Sequence, residues 1–246
     1  MIKKFYKSNH YKLIRLGSTY DGGYLVCPNA VSSSDHLVSL GIDTNWEFEN
    51  DFLKKGHLKS VFCYDGQTSY PQILRFFIIQ LFKLIGLRPD LDLLVRSIKN
   101  LVTYFLVLNR KLGFIKKNVG LNDGISLKEI LAFKKKIFLK VDIEGSEYRI
   151  LNDLLEYKKD LTGLVIEFHD YDLFENEIQE FIEKIGMQIV HVHINELGGF
   201  NMQYKPLAIE ISFSSCPKKG ENKFFKKMQK PNGQRNRLVS LDNVKI

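Results

Sequence analysis

Cysteine is scarce in this chain: Cys27, Cys63 and Cys216 stand alone and odd in number among 246 residues. Neither a disulfide framework nor a paired-cysteine zinc knuckle fits them, and a reducing compartment is expected. Long apolar runs are missing as well, since no uncharged stretch reaches the roughly 18 residues that a membrane span requires. The basic opening MIKKFYKSNHYK leads into neither an apolar core nor a small-residue cleavage site. A signal peptide is therefore not expected, the expected location is cytoplasmic, and weak association with a membrane surface stays open. No internal repeat is found. Repeated glycines are also lacking where a dinucleotide would need them: Gly41 is followed by Ile42, Asp43, Thr44 and Asn45, with no cradle for a pyrophosphate. A nucleoside cofactor without that diphosphate remains compatible.

What is present points to a folded α/β protein. A hydrophobic fraction of 44% with 18 phenylalanines excludes global disorder, and the length suits one α/β domain over 1–246 carrying an insertion. The formal net charge of +8 raises nucleic acid or an anionic surface as a partner. Its distribution weakens that reading, because 218–237 holds eight Lys or Arg against Glu221 alone. Residues 214–246 read as a basic C-terminal extension, solvated or touching a phosphate-bearing partner; nucleic acid is disfavoured and kept as a rival.

The order of elements is alternating. LVSLG over 37–41 and the run over 61–64 read as core strands, joined by a helix that uses Trp46, Phe48, Phe52 and Leu53 and stops at Gly56. Strand, helix, strand is the repeating unit of a doubly wound sheet. From 70 to 122 the pattern turns into amphipathic helical runs broken by Gly86, Pro89 and Asp90. This stretch reads as a helical insertion: a cap on the site, ordinary core helices, a membrane-contacting element or a cover for a second subunit. Ser126 with Glu129 forms a capping-box pattern, and Asp172 with Glu175 repeats it ahead of a helix whose inner stripe is Leu173, Ile178, Phe181, Ile182 and Ile185. Strands are expected over 137–141, 161–168, 188–193 and 207–213, and a helix over 147–157.

Ionisable residues gather at the ends of those strands, where open α/β sheets bind ligands. Asp65 is placed to accept from a ribose diol. Asp142 ends the strand IFLKV and can face a ligand or a divalent ion, while Glu144 and Glu147 suit the start of the following helix, where acidic groups are stabilised. On spacing alone, all three carboxylates could be caps and nothing more. Glu167 and His169 alternate onto one side of the next strand and could converge with Asp142 as a hard-metal or acid/base cluster. His193 lies nearer its strand end than His191, which suits a hydrogen-bonded core position; the pair is weak evidence for zinc. In GSTYDGGYL, Tyr20 and Asp21 could close over a cofactor, or the segment is a hairpin turn packing Tyr24.

The segment LKVDIEGSEYRIL, with VIEFHD and HVHIN behind it and DGGYLV, SLGIDTNWEFE and VFCYDG ahead, resembles the FkbM-like family of S-adenosylmethionine-dependent methyltransferases. The resemblance implies a Rossmann-like class I methyltransferase fold, a mostly parallel central sheet flanked by helices. It also implies O-methylation of a sugar or a related small hydroxylated acceptor in surface glycan biosynthesis, and the basic tail or the insertion could grip a phosphate or nucleotide on that acceptor. Carried across, Gly41 and Asp43 would line the amino-acid part of S-adenosyl-L-methionine, Asp65 its ribose, and Asp142 the meeting point of cofactor and acceptor. His169 or His193 would take the acceptor's proton, with Asp142 and Glu167 orienting it. Asp142, Glu167 and His169 would form the ligand set if magnesium or manganese takes part. The family's richer glycine loop is replaced here by GIDTNWEFE. The two rivals are a nucleic-acid methyltransferase and a non-catalytic scaffold on the same fold.

Overall fold

A computed structural model describes residues 11–18, 22–85, 90–104, 112–121 and 123–220. Two strands, β1 (Ile14–Gly17) and β2 (Gly23–Val26), form an antiparallel hairpin. Then come α1 (Pro28–Ser32), β3 (His36–Leu40), α2 (Glu47–Lys55) and β4 (Ser60–Tyr64), followed by the inserted pair α3 (Tyr70–Ile85) and α4 (Leu91–Thr103). The chain continues through β5 (Gly113–Ile115), α5 (Leu127–Leu131), β6 (Ile137–Val141), α6 (Leu151–Tyr157), β7 (Leu161–Phe168), α7 (Glu175–Ile185), β8 (Gln188–Ile194) and β9 (Ile209–Ser214).

The second sheet has seven strands in the order β5-β4-β3-β6-β7-β9-β8. All pairings are parallel except those of β9, which runs antiparallel between β7 and β8. This is the doubly wound order with a last strand slipped in reverse beside the fifth, the sheet of a Rossmann-like class I methyltransferase. The sheet turns direction at β3, with β4 on one side and β6 on the other. A crevice is therefore expected above the carboxyl ends of these three strands.

Burial on both faces explains why the central strands are almost wholly apolar. Successive residues of β6 divide between two cores: Phe138 packs with Leu16, Tyr24, Phe48 and Phe52, and Leu139 with Leu131, Leu154 and Phe168. The hairpin and α2 cover the first face; α5, α6 and α7 supply the second. GSTYDGGYL thus leads into the hairpin strand that buries Tyr24 at 2% exposure, although Tyr20 and Asp21 themselves lie outside the described residues.

Four local expectations change. The sheet's edge strand β5 lies inside the stretch 70–122 read as helical, because a three-residue strand is too short for its alternation to show. Ser126 and Glu129 do form a reciprocal capping box, but α7 begins at Glu175 with no side-chain cap, and Asp172 instead accepts from Asn201 at 2.8 Å. Leu173, expected in the inner stripe, precedes that helix and is exposed. The helix expected over 147–157 begins as a 3-10 turn, Glu147–Arg149, before α6.

Helix α4 is held over the loop that comes after β3. Its Asn100 side chain donates to the Thr44 carbonyl, Trp46 donates to Thr103 Oγ1 at 3.2 Å, and Lys99 pairs with Glu47 at 2.5 Å. Its opposite face leaves Leu91, Val95, Ile98 and Val102 exposed. Among the described residues no helix is long and apolar enough to cross a membrane.

Candidate active site

A cavity of about 340 Å³ opens at the expected crevice, bounded by Gly41 to Asp43 after β3, Tyr64 to Gln67 after β4, Asn118 to Leu121 after β5, and Asp142 to Glu144 after β6. Its volume falls in the range of small-molecule sites, roughly 300–1,000 Å³. Gly41 has a left-handed backbone with φ of 76°, and a Cβ there would collide with the Asp142 carbonyl oxygen. Only glycine lets the β3 and β6 loops approach so closely. Lys140, the one charged residue within β6, fixes the same junction by donating to the Gly41 carbonyl at 2.5 Å.

Asp65 stands at the β4 end as expected, but its carboxylate is already engaged. Oδ2 accepts from the backbone amides of Ile42 at 3.0 Å and Asp43 at 2.9 Å, and Oδ1 from those of Gln67 and Thr68 at 2.7 Å each. Burial alone would raise its pKa. The four amides outweigh that and hold it below the ordinary carboxylate value. Asp65 therefore ties the β3 loop to the β4 loop, and a ribose bound there would meet a carboxylate whose acceptor sites are filled.

Asp142 has a different setting. Its Oδ2 accepts from the Tyr24 hydroxyl at 2.9 Å and lies 3.8 Å from Lys140 Nζ, and its side chain keeps 23% exposure at the cavity wall. Burial first, then the charges of Asp142 and Glu167, push the Tyr24 pKa far up, so Tyr24 stays a neutral donor. Lys140 is fully enclosed. Burial opposes its charge, yet Glu49 and Asp142 outweigh that and raise its pKa, so an ammonium sits beneath the cavity floor.

Glu144 lines the cavity with its side chain 81% exposed and its backbone left-handed at φ of 53°. A bulky residue in that conformation stores about 1–3 kcal/mol of strain, a cost that concentrates at functional turns. Partial desolvation of the carboxyl against the cavity wall, aided by Asp142 and opposed by His169, raises its pKa. Glu147 faces inward: it is fully buried and its Oε1 accepts from Ile143 N at 3.0 Å, Gly145 N at 3.3 Å and His169 Nδ1 at 3.0 Å. So Glu147 holds the turn, and Glu144 is released from that task.

His169 stands between these carboxylates, with Nε2 3.4 Å from Glu144 Oε2. Burial would lower its pKa, but the bond and charge of Glu147, with Glu167 and Asp142 beyond, raise it to about 9. At neutral pH His169 is an imidazolium, which corrects its expected role as the proton acceptor. Glu167 is also relocated. It is 4% exposed, accepts from Asn195 Nδ2 at 2.6 Å and lies 3.3 Å from the Tyr24 hydroxyl, so it supports Asp142 through Tyr24 and is not among the groups that crowd His169.

His193 does not reach this site. It faces Glu210 across the β8–β9 ladder, with His191 stacked at a ring distance of 6.3 Å, and neither lines the cavity. The insertion of β9 between β7 and β8 carries β8 one strand further from the crevice. Conversely, Arg96 of α4, Lys117, Asn118 and Asn45 line the cavity without having been singled out from sequence. Loop residues separated by whole elements carry no common spacing; only the left-handed Asp43 and Glu144 beside Gly41 and Gly145 could have hinted at the wall.

No family model matches the chain, and no curated protein matches it. The resemblance of LKVDIEGSEYRIL to the FkbM-like family is thereby corrected: the chain shares the Rossmann-fold class I sheet and does not carry that family assignment. Similar solved structures include a proposed RNA methyltransferase from Pyrococcus horikoshii, 11% identical over 75% of this chain and 76% of that one, with a TM-score of 0.39. A proposed tRNA (m1A22) methyltransferase from Streptococcus pneumoniae, solved with S-adenosyl-L-methionine, is 15% identical over 82% and 75%, with a TM-score of 0.40. An S-adenosylmethionine-dependent methyltransferase from Clostridium acetobutylicum is 10% identical over 75% and 85%, with a TM-score of 0.38. At this distance these structures say nothing of substrate, and the fold assignment rests on this chain's own strand order.

Proposed function

We propose that the protein is an S-adenosylmethionine-dependent methyltransferase. The observation that carries this reading is the cavity at the sheet's switch point, where Asp43, Asp142 and Glu144 stand at the strand ends with Arg96, Lys117 and Lys140 also in the lining. A pyrophosphate finds no glycine cradle there, whereas a sulfonium and an ammonium are attracted to the strand-end carboxylates. Gly41, Asp43 and Asp142 would line the methionine end. Asp65 would act by holding the two loops that shape the ribose position.

For the acceptor we favour a hydroxyl. Methyl transfer in line from sulfur to oxygen needs alignment and a group to receive the proton. Glu144, exposed at the mouth with a raised pKa, supplies the acceptor for that proton; His169, already protonated, steadies Glu144 and Glu147. The test is calorimetric titration of pure protein with S-adenosylmethionine. Saturable 1:1 binding that is weakened in Asp142→Asn is expected, and no binding at millimolar cofactor rejects the reading.

A second acceptor reading, nucleic acid, is favoured by the net charge of +8 and the eight basic residues of 218–237. It requires RNA affinity that falls steeply with salt and is lost on removal of 218–246. Salt-independent or undetectable RNA binding leaves the small hydroxylated acceptor.

A further inference from the structure

Asp142 and Glu144 line the cavity and His169 stands beside Glu144; each of the three offers a donor atom, and the three atoms lie within 4.8 Å of one another. We propose that these residues bind one hard divalent cation, manganese or magnesium, with Glu147 as the buried group that orients the histidine.

The arrangement behind the histidine is the strongest support. His169 Nδ1 lies 3.0 Å from Oε1 of a fully buried carboxylate, Glu147, whose own position is fixed by two backbone amides. That bond turns Nε2 outward, towards Glu144 Oε2 at 3.4 Å. A carboxylate that accepts from one ring nitrogen while the other faces a ligand position is the usual support of a metal-bound histidine. The second support is charge. Glu147 Oε2 is buried with no hydrogen-bond partner among the described residues, and the carboxylates Asp142, Glu144 and Glu147 outnumber the cations His169 and Lys140, the latter 3.8 Å from Asp142 Oδ2.

Two carboxylates with one imidazole suit a hard or intermediate divalent ion, and an ion at Nε2 displaces the proton that His169 otherwise holds there. The spacing is wider than bonds of about 2.1 Å allow, and the mobile partner in closing it is Glu144, the most exposed of the three. The set differs from the one expected from sequence by exchanging Glu167 for Glu144, because the tight turn at Gly145 folds Glu144 back towards the next strand end. The role of the ion in methyl transfer rests on the function proposed above: Glu144, giving one oxygen to the ion and leaving the other for the proton, is a weak base for an unactivated alcohol, and a divalent ion that lowers the pKa of that alcohol makes a weak base sufficient. Binding of the ion does not depend on that reading.

The experiment titrates Mn²⁺ into the full-length, metal-free protein without cofactor or acceptor, following the free-ion signal by electron paramagnetic resonance. One saturable ion per chain, displaced by Mg²⁺, is expected. Glu144→Gln and His169→Gln should each weaken binding at least tenfold, and Glu147→Gln about tenfold through loss of ring orientation. Glu167→Gln, outside the ligand set, should weaken it less than any of these. Because Glu144 is exposed, its variant keeps the wild-type circular dichroism and separates ligand loss from unfolding. Absence of saturable binding at millimolar Mn²⁺, or wild-type affinity in both Glu144→Gln and His169→Gln, overturns the site. Cofactor titration on the same samples separates the two ideas: Mn²⁺ binding without S-adenosylmethionine binding sinks methyl transfer alone, and the reverse sinks the metal site alone.

Discussion

Two strand-end carboxylates of this sheet look alike in sequence and do opposite things. Asp65 closes β4 and spends both oxygens on four backbone amides, whereas Asp142 closes β6 and accepts from Tyr24 while facing the cavity. The turn after each strand makes the difference. Beyond Asp65 the chain curls back, so that the Gln67 and Thr68 amides reach Oδ1, and the β3 loop brings two more to Oδ2. Beyond Asp142 the turn at Glu144 and Gly145 sends its amides to Glu147 instead, leaving Asp142 available. An acidic strand end becomes scaffold or site according to which carboxylate its own turn recruits.

The contrast breaks most visibly if Asp65 is removed. Asp65→Ala strands four amides at two loops, and denaturant unfolding should show a loss of about 2–4 kcal/mol, with S-adenosylmethionine affinity reduced at least tenfold by calorimetry. A merely ligand-binding Asp65 would show the affinity loss without the stability loss. The effect has a definite pH dependence. Because the folded pKa is held below the unfolded one, the carboxylate's contribution is present above about pH 4 and disappears as pH falls through the lower folded value. Wild type and Asp65→Ala should therefore converge in stability only in strong acid, as unfolding curves at a series of pH values will show.

At Asp142 the expectation reverses: Asp142→Asn should cost less stability than Asp65→Ala, through the weakened pairing with buried Lys140, and lower turnover about 100-fold or more with the true acceptor. A smaller step is Glu144→Gln, expected to lower kcat about tenfold or more while the cofactor Kd stays within about twofold. An equal loss in kcat and cofactor affinity would place Glu144 in cofactor binding. The smallest effect belongs to His193→Ala, with kcat within about twofold of wild type, since its strand lies beyond β9. A large loss there would require β8 to approach the crevice.

Much of the frame was legible in the chain. Largely apolar runs marked β3, β6 and β7 because strands buried on both faces leave little room for polar side chains. Ser126 and Glu129 announced their capping box because both partners are local. The β5 edge strand and the uncapped start of α7 were not legible, one being too short and the other depending on Asn201, 29 residues from Asp172. Among site residues, Asp142 was identifiable from its place after IFLKV, while the exchange of roles between Glu144 and Glu167 was not.

By itself the sequence determined the doubly wound plan, the absence of a dinucleotide cradle and the position of the acidic crevice, because hydrophobic period and strand-end composition are properties of consecutive residues. The tertiary structure alone decided which acids are free. Asp65 is saturated by a loop 22 and 23 residues earlier, His169 is charged by a glutamate 22 residues away, and Tyr24 reaches Asp142 across 118 residues. Hydrogen bonds and electrostatic shifts depend on distances of a few ångströms in space, and no period along the chain encodes those.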